Sequence, residues 1–184
     1  MVQRGVRGMS GPLFIASDLH GNSVNTALLL KACAEAGGRL LLLGDLLGGR
    51  RSLFAKGPSV QEQLADCGLP ILAVRGNCDR EFPDWLVSFA FHDSLTLEED
   101  GHTLVCTHGH LFGEACPPRL PAGAVLITGH THIPAWRDHG GWFYANPGSL
   151  GLPRGGAPAS YIIYEKGRFR WCDTAGEVWM EKQI

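Results

Sequence analysis

Short apolar runs recur along the chain, and most of them stop at a glycine or an aspartate followed by polar residues. Asn22 or Ser23 can cap a helix after the first run, and Gly37 with Gly38 can end it. A second helix is predicted from the segment SVQEQLADCG. The runs of the first half, which we interpret as strands between these helices, are PLFIASD, RLLLLGD and LPILAVRGNCD. The first half therefore predicts the order β-α-β-α-β.

Beyond Phe91 the pattern changes to short strands with little helical character. Asp100-Gly101 is a strong hairpin signal, and further turns are indicated at Gly140-Gly141 and at Lys166-Gly167. The strands that these turns join or separate lie in SLTLEEDGHTLVCTHGH, GAVLITGH, WFYANPGS and ASYIIYEKGRFRWCD. Parallel units need helices on their faces, whereas antiparallel hairpins can stack on another sheet. We therefore predict two packed sheets with outer helices.

Length and composition favour a single domain and argue against several kinds of partner. The chain has 184 residues, a formal net charge of -2 and no basic block longer than Arg50-Arg51, so we expect no nucleic-acid partner. No apolar run approaches the roughly 18 residues that cross a bilayer, and no apolar signal segment follows the N-terminus. The six cysteines form no C-x-x-C pair and are expected to be free thiols. We expect a cytoplasmic protein with no membrane partner.

Polar side chains that suit metal ions follow the predicted strands. Functional groups of α/β sheets gather at the carboxyl ends of strands, so these side chains are expected to share one cleft. Carboxylate, amide and imidazole groups match the ligands of divalent metals, which predicts a two-metal centre with Asp45 as the bridge. Alternate residues of an extended segment point the same way, which would direct Asp18 and His20 to one ion, while a bend at Thr131 would separate His130 from His132. The seven residues are Asp18, His20, Asp45, Asn77, His108, His130 and His132.

Each of these short patterns also has an ordinary structural explanation. A D-x-H sequence is often a surface loop, and G-D or G-N after a strand is usually a turn. Their shared position at strand ends favours the metal centre. Several desolvated Asp and His side chains left unpaired would cost on the order of several kcal/mol, and a bound cation would offset this cost.

The ordered segments SDLHGN, LLGDLL, RGNCDRE, CTHGHLFG, TGHTHIP and NPGSLGLPRGGAPASY resemble those of the calcineurin-like metallophosphoesterases. Within this family the chain is most similar to the small bacterial phosphodiesterases of the YfcE type. The resemblance begins near Leu13, so we expect a poorly ordered N-terminal extension over residues 1–11 and a single domain over residues 12–184. It implies a four-layer αββα sandwich, in which helices flank two mixed β-sheets.

The resemblance also implies a ligand set and a reaction. One divalent ion, most commonly manganese in such relatives, would be held by Asp18, His20, Asp45 and His132. A second ion would be held by Asp45, Asn77, His108 and His130. Asp45, Asn77 and His108 are the residues expected to be catalytic. In such enzymes a hydroxide that bridges the two ions attacks phosphorus in line, so the expected function is metal-dependent hydrolysis of phosphodiester bonds.

Cys78 departs from the wider superfamily, which places a histidine after this asparagine to assist the leaving group. A thiol is a poor acid for an alkoxide, so we interpret Cys78 as a spectator in diester cleavage. The YfcE-type relatives also carry G-N-C-D. Asp79 is either a residue that orients His108 or another ligand, or a surface or capping residue.

Two further residues and one segment can each be interpreted in two ways from the sequence. His110 lines the cleft or is an exposed loop residue, and Arg75 meets a phosphate or pairs with an acid. The segment Asn146 to Ser149 resembles one that shapes the family's cleft, but it is also explained as a Pro-Gly turn.

Two other functions compete with phosphodiester hydrolysis. A phosphomonoesterase or protein phosphatase is disfavoured by Cys78 and by the short loops between motifs. A non-catalytic scaffold, of which the retromer subunit with this fold is the example, should have lost metal ligands. The expected substrate is a small phosphodiester, with specificity in the loops at 48–58 and 111–121. The apolar loop residues Phe54, Phe82 and Trp85, together with the habit of relatives, favour a homo-oligomer.

Overall fold

The computed structural model describes residues 11–47, 57–81 and 87–184. Most of the predicted N-terminal extension and most of the loop at 48–58 lie outside the described residues. Phe54, Phe82 and Trp85, on which the expectation of a homo-oligomer partly rests, also lie outside them.

The first half of the described chain alternates strands and helices in the predicted order. Helix α1 spans Ser23–Glu35, helix α2 spans Val60–Asp66, and a short 3-10 helix spans Cys78–Glu81. The strands of this half are β1 (Leu13–Ala16), β2 (Arg39–Leu42), β3 (Ile71–Val74) and β4 (Phe91–His92). The two-residue strand β4 was not predicted because it is too short to carry a pattern.

The second half is built almost entirely from strands. They are β5 (Ser94–Glu99), β6 (His102–Thr107), β7 (Val125–Ile127), β8 (Ala135–Asp138), β9 (Phe143–Asn146), β10 (Ser160–Glu165), β11 (Arg168–Asp173) and β12 (Val178–Gln183). Strands β8 and β12 were not predicted. Most residues of β12 are exposed, so this edge strand lacks the alternation of a half-buried one.

The predicted helix ends are confirmed by their capping contacts. The Asn22 side chain accepts the N–H of Asn25 at 3.1 Å, which makes Asn22 rather than Ser23 the N-cap of α1. Helix α1 ends before Gly37, which has a φ of 60°. Helix α2 begins with a capping box, in which Ser59 and Glu62 each bond the other's backbone N–H.

Two mixed sheets hold the strands. The seven-stranded sheet has the order β12-β11-β10-β1-β2-β3-β4, with parallel pairing from β1 to β4 and antiparallel pairing elsewhere. The five-stranded sheet has the order β5-β6-β7-β9-β8, and the pairs β6-β7 and β7-β9 are parallel. Strands from both ends of the chain therefore share the larger sheet.

The hairpins form where the turn residues predicted them. Asp100 and Gly101 both have positive φ, at 52° and 85°, and they join β5 to β6. Lys166 and Gly167 repeat this conformation, at 51° and 76°, between β10 and β11. Positive φ at both central residues is the type I′ turn, whose twist matches that of the paired strands.

Strands β1 and β2 are buried on both faces because they separate two apolar layers. On one face Phe14 and Leu40 pack with residues of α1 and α2, including Leu29 and Leu64. Residues of the opposite face pack against the five-stranded sheet, and among them are Leu13, Ile15, Leu41, Leu104, Cys106, Val125 and Ile127. Burial on both faces explains why these strands appear in the sequence as continuous apolar runs.

The outer face of the five-stranded sheet differs from the four-layer expectation in one respect. Leu120 and Trp142, neither of which is in a helix, cover Val105, Leu126 and Tyr144 on this face. Within residues 11–47, 57–81 and 87–184 the only α-helices are α1 and α2, and both pack on the larger sheet. The two-sheet sandwich is confirmed, and coil takes the place of the second helical layer in the part of the chain described.

The cysteines and helices agree with the expectations from composition. All six cysteines lie in the described segments and all are free thiols. Neither described helix has the length and apolar character that spanning a lipid bilayer requires.

Candidate metal centre

The candidate site lies where the carboxyl ends of strands from both sheets meet. Asp18, Asp45 and Asn77 follow β1, β2 and β3 of the larger sheet, and His108 and His130 follow β6 and β7 of the smaller one. The backbone N–H of His130 donates to Asp18 Oδ2 at 2.9 Å and so links the two sheets directly. Parallel strands bring these loops to one edge, as the sequence predicted.

One half of the site consists of Asp18, His20 and His132. Asp18 Oδ1 lies 3.1 Å from His132 Nε2 and 3.7 Å from His20 Nε2. The two imidazole Nε2 atoms are 3.2 Å apart. These three potential ligand atoms all lie within 4.8 Å of one another, so they are close enough to share one cation.

The other half consists of Asp45, Asn77 and His108. His108 Nε2 lies 3.1 Å from Asn77 Oδ1 and 3.5 Å from Asp45 Oδ2. Asp45 Oδ2 is also 3.9 Å from His20 Nε2, so this carboxylate lies between the two halves. A carboxylate in this position has the geometry expected of a bridge.

His130 sits at the edge of the second half. Its side chain is exposed, and its ring centroid is 5.2 Å from that of His108. The ring of His132 lies instead beside His20, with 5.0 Å between the centroids. The bend at His130 and Thr131 therefore sends the two histidines to different halves, and the seven predicted residues lie together where the strand ends of the two sheets meet.

The backbone that presents these residues is not extended, which corrects the predicted reason for their convergence. Asp18 and His20 have φ angles of 53° and 45°, and Asp45 has 53°. His130 and His132 also lie in the left-handed region, at 66° and 64°. Left-handed conformations are rare for residues other than glycine and cost roughly 1 to 2 kcal/mol each. Strain concentrated at five of seven candidate residues is characteristic of a functional site.

The glycines of the short patterns are required by close approach. A Cβ on Gly129 would clash with Ser17 Oγ and would lie 2.6 Å from Asp18 Oδ2. A Cβ on Gly76 would clash with Asp45 Oδ1, and one on Gly44 would lie 2.9 Å from His108 Nδ1. The loops can bring their ligand groups together only because these positions carry no side chain.

Backbone carbonyls fix the tautomers of two histidines. His108 Nδ1 lies 2.6 Å from the carbonyl oxygen of Leu43, and His132 Nδ1 lies 2.7 Å from that of Leu152. A carbonyl oxygen only accepts, so each Nδ1 carries a proton, and Nε2 is the ring atom that can offer a lone pair to a cation in the cleft. Such carbonyl partners are typical of metal-binding histidines.

The ligand atoms of the site suit divalent cations because atoms that can each supply an electron pair face one another. His108 Nε2 faces the oxygens of Asn77 and Asp45, and the buried Asp18 Oδ1 has no hydrogen-bond partner in the described structure. Electron pairs that converge without donors are costly in a buried site unless a cation lies between them. Imidazole, carboxylate and amide groups suit borderline and hard divalent ions.

Both carboxylates are held in their ionised form. Burial alone would raise the pKa of Asp18, but the neighbouring imidazoles of His132 and His20 outweigh it and lower that pKa well below its usual range. Burial likewise opposes ionisation of Asp45, yet contact with His108 and the Cys78 N–H lowers its pKa. Both groups are therefore available as anionic ligands.

Cys78 has the opposite character. Its backbone N–H donates to Asp45 Oδ1 at 2.8 Å, and its thiol is half-buried beside the Asn77 amide. Burial, and then the neighbouring carboxylate of Asp45, raises the pKa of this thiol to about 12. The sulfur lies near His20 and Asp45, but it is a neutral thiol near neutral pH.

Asp79 holds the backbone of the loops that carry the candidate ligands, and it does not contact His108. The side chain is fully buried, and its Oδ2 accepts the N–H groups of Asp45 at 2.7 Å and Gly76 at 2.9 Å. Its Oδ1 accepts the N–H groups of Leu46 and Leu47 at 2.8 and 3.4 Å. Asp79 is therefore neither a surface residue nor a partner of His108, and it fixes the loops that carry Asp45 and Asn77.

Several supporting residues were missed or only partly recognised from sequence. Ser17 Oγ donates to Asp18 Oδ2 at 2.6 Å, and Ser149 Oγ donates to the Asp18 carbonyl at 2.8 Å. The buried Asn146 side chain donates to the Gly129 carbonyl at 2.8 Å and to Thr131 Oγ1 at 3.1 Å, which holds the turn before His132. The segment Asn146 to Ser149 thus shapes the cleft in addition to turning the chain. Its resemblance to a family segment was the only signal available.

The two remaining open residues occupy different places. The ring of His110 is half-buried beside His108, with 5.3 Å between centroids, so this residue borders the cleft. The Arg75 guanidinium lies 4.5 Å above the centre of the Phe91 ring and donates to the Asp79 carbonyl at 3.4 Å. Arg75 is therefore engaged by protein groups behind the site.

Comparison with known proteins places this architecture in a family. A family model described as the calcineurin-like phosphoesterase superfamily domain matches residues 12–167. The chain is 41% identical over 157 residues to phosphodiesterase YfcE of Escherichia coli K12, a match that covers 81% of this chain and 84% of that protein. It is 33% identical over 120 residues to the probable metallophosphoesterase YsnB of Bacillus subtilis, covering 58% and 66%.

Solved structures agree with the sequence matches. The structure of the Escherichia coli phosphoesterase YfcE superimposes with a TM-score of 0.85 and 34% identity, covering 94% of this chain and 99% of that one. Vps29 of Entamoeba histolytica, solved with Zn2+, has a TM-score of 0.55 and 16% identity, covering 94% and 98%, and shares the fold alone. Divalent metal ions are the cofactor that the family match implies. The chain belongs to the calcineurin-like phosphoesterase superfamily.

Proposed function

We propose that the protein is a metal-dependent phosphodiesterase that hydrolyses small phosphodiesters with the help of two divalent metal ions. The observation that carries this proposal is the convergence of electron-pair donors from both sheets on one cleft. Asp18, His20 and His132 face one another on one side, and Asp45, Asn77 and His108 do so on the other. The 41% identity to phosphodiesterase YfcE supports the same reaction class.

The seven residues divide into two ligand sets that share Asp45. Asp18, His20, Asp45 and His132 would hold one ion, and Asp45, Asn77, His108 and His130 would hold the other. The position of Asp45 Oδ2 between His20 and His108 supports its assignment as the bridge. We propose Mn2+ as the native ion, as the resemblance to the YfcE-type phosphodiesterases implies.

When bound, two such cations lower the pKa of a shared water, orient the phosphate oxygens and neutralise charge in the transition state. The protein side of catalysis then consists of orientation. The Leu43 and Leu152 carbonyls hold the His108 and His132 rings, and Cys78 N–H holds one oxygen of Asp45. Because burial and Asp45 raise the pKa of the Cys78 thiol to about 12, this thiol is a weak general acid, so the proposed reaction favours substrates whose alcohol leaves without acid assistance.

The test compares metal binding and hydrolysis in one preparation. The chelator-treated protein would be titrated with Mn2+, Zn2+, Fe2+, Ni2+ or Mg2+ by calorimetry, and each form assayed on bis(p-nitrophenyl) phosphate and p-nitrophenyl phosphate. We expect two ions per chain, with fastest diester hydrolysis in Mn2+. Asp45→Asn should lose at least about 100-fold in kcat/KM, since even indirect metal partners are worth about 10- to 100-fold.

The matched control for Asp45→Asn is Asp66→Asn, because Asp66 is an exposed carboxylate at the end of α2. Two bound ions without hydrolysis of either ester would favour the scaffold function. Preference for the monoester would favour a phosphomonoesterase. A wild-type protein that binds no ion would overturn the metal centre.

We further propose that residues 12–184 form one domain, which assembles into a homo-oligomer in the cytoplasm and has no stable nucleic-acid partner. Pairing of β1 with β10, which joins the two halves of the chain in one sheet, supports the single domain. Val178 and Trp179 are exposed on the edge strand β12 and are 49% and 42% accessible, which supports association between copies. Light scattering on Trp179→Ser would test whether this edge holds the copies together.

A further inference from the structure

Arg80 lies at the mouth of the candidate metal centre, on the short helix that follows Asn77. Its side chain is exposed, and its Nη2 atom lies 3.5 Å from His110 Nε2. The His110 ring lies beside the rings of His108 and His130, at 5.3 and 6.2 Å between centroids. The guanidinium is therefore one imidazole ring away from two candidate metal ligands.

The backbone under Arg80 is firmly placed. Asp79, the preceding residue, is fully buried and accepts backbone N–H groups through both carboxylate oxygens. The Asp79 carbonyl also accepts a bond from Arg75. Arg80 thus follows a residue that several hydrogen bonds hold in place, and its own side chain contacts His110.

The contact between Arg80 and His110 is unusual because both side chains can carry positive charge. A guanidinium is permanently protonated and has only donors, so His110 Nε2 must accept, and the imidazole is neutral in this arrangement. Among the side chains that the structure describes, which exclude that of Glu81, no carboxylate lies within 4 Å of the Arg80 guanidinium, whereas the exposed Arg137 and Arg168 each face a glutamate. His110 therefore orients the guanidinium without neutralising its charge.

When the centre holds divalent cations, they would repel a guanidinium beside them. The arrangement becomes favourable when an anion lies between the guanidinium and the metal side of the cleft. Planar guanidinium groups bind phosphate oxygens through paired charge-assisted hydrogen bonds, which is the interaction that a phosphodiester can offer.

We propose that Arg80, oriented by His110, determines specificity by binding a phosphoryl oxygen of the substrate. Arg80 contacts the substrate and His110 is its positioning residue. The oxygen belongs either to the phosphate that is cleaved or to a second phosphate on the same molecule. This inference rests on the proposed phosphodiesterase function.

Two chromogenic diesters distinguish whether Arg80 binds an oxygen of the cleaved phosphate or of a second phosphate. Thymidine 5′-(p-nitrophenyl phosphate) carries one phosphate, and its 3′-phosphorylated form carries a second, while both release the same leaving group. With the metal-loaded full chain, Arg80→Met should raise KM by about ten-fold with a smaller change in kcat, as expected for a lost charge-assisted bond. Arg80→Lys should recover part of the loss, because charge remains while the paired geometry does not.

Equal increases in KM for both diesters assign the guanidinium to the cleaved phosphate. An increase confined to the 3′-phosphorylated form assigns it to the second phosphate. KM values within two-fold of wild type for both diesters at low salt would overturn the proposal. Arg168→Met serves as the matched control, since Arg168 is an exposed arginine next to the turn at Lys166-Gly167 and faces Glu181.

The role of His110 is tested by a double-variant cycle. His110→Gln alone should raise KM. In the Arg80→Met protein the same substitution should change KM little further, whereas a merely structural effect of His110→Gln would add to that of Arg80→Met. Calorimetric binding of inorganic phosphate to the metal-loaded chain gives a readout that does not depend on turnover, and Arg80→Met should weaken it about ten-fold. If wild type hydrolyses neither diester but phosphate binding still depends on Arg80, the proposed function fails while the anion site stands.

Discussion

Asp79 accepts the backbone N–H of Asp45 at 2.7 Å, although the two residues are 34 positions apart in the chain. The same carboxylate also accepts the N–H of Gly76, which precedes Asn77. One buried anion thereby fixes the loops after β2 and β3 relative to each other. The bridging carboxylate and the metal-facing amide owe their relative position to this residue.

We expect Asp79→Asn to destabilise the protein and to weaken metal binding. The asparagine NH2 group would face backbone N–H groups and leave at least one of them buried without an acceptor. The free energy of unfolding should fall by about 2 to 4 kcal/mol, measured by urea denaturation of the metal-free chain. Asp66→Asn, the exposed counterpart, should change it by less than about 0.5 kcal/mol. Equal stabilities of the two variants would contradict the assigned role of Asp79.

We expect Gly129→Ala to damage the first half of the site. The added methyl group would clash with Ser17 Oγ and press on Asp18 Oδ2, which also holds the N–H of His130. Overpacking of this kind costs about 1 to 3 kcal/mol, so the melting temperature should fall and metal affinity should decrease. Gly141→Ala is the control, because a Cβ on Gly141 would meet nothing within 4 Å. A Gly129→Ala protein with wild-type melting temperature and metal affinity would show that this contact is unimportant.

We expect Cys78→Ala to retain diester hydrolysis. The thiol has a pKa raised to about 12 by burial and by Asp45, so it is protonated near neutral pH and is a weak acid for a leaving alkoxide. The Asp45 contact uses the Cys78 backbone N–H, which alanine preserves. The kcat for bis(p-nitrophenyl) phosphate should remain within about three-fold of wild type. A loss as large as that of Asp45→Ala would end the spectator interpretation.

We expect the thiol of Cys116 to react fastest in the native protein, because it is the exposed one among the six. Its side chain is exposed, whereas burial raises the pKa of Cys33 to about 12 and that of Cys172 to about 11. A higher pKa lowers the thiolate fraction at pH 8, and only the thiolate reacts quickly with Ellman's reagent. Cys116→Ser should remove the fast phase, and denaturation should expose the remaining thiols. A fast phase that survives in Cys116→Ser would contradict this assignment.

Many features of the fold are determined by residues that are close together in the sequence. The apolar runs, the caps at Asn22 and Ser59 and the turn at Asp100-Gly101 each depend on a few neighbouring residues, so they were predictable. The edge strand β12 was not, because it pairs with β11 while most of its side chains remain exposed. Its pairing is decided by backbone hydrogen bonds to the preceding strand, which leave no alternating pattern in the side chains.

The seven candidate ligands could be named from sequence because each follows an apolar run, and parallel strands bring such ends to one edge. The tertiary structure alone decided how they converge. It gives Asp18 and His132 a left-handed backbone. It also brings together loops that are far apart in the chain, so that backbone carbonyls orient the histidines and the buried Asp79 carboxylate holds the backbone of Asp45. The contact between Arg80 and His110 is of the same kind. Sequence determines which groups the strand ends carry, but their distances and orientations arise only when the two sheets pack and loops from both of them meet.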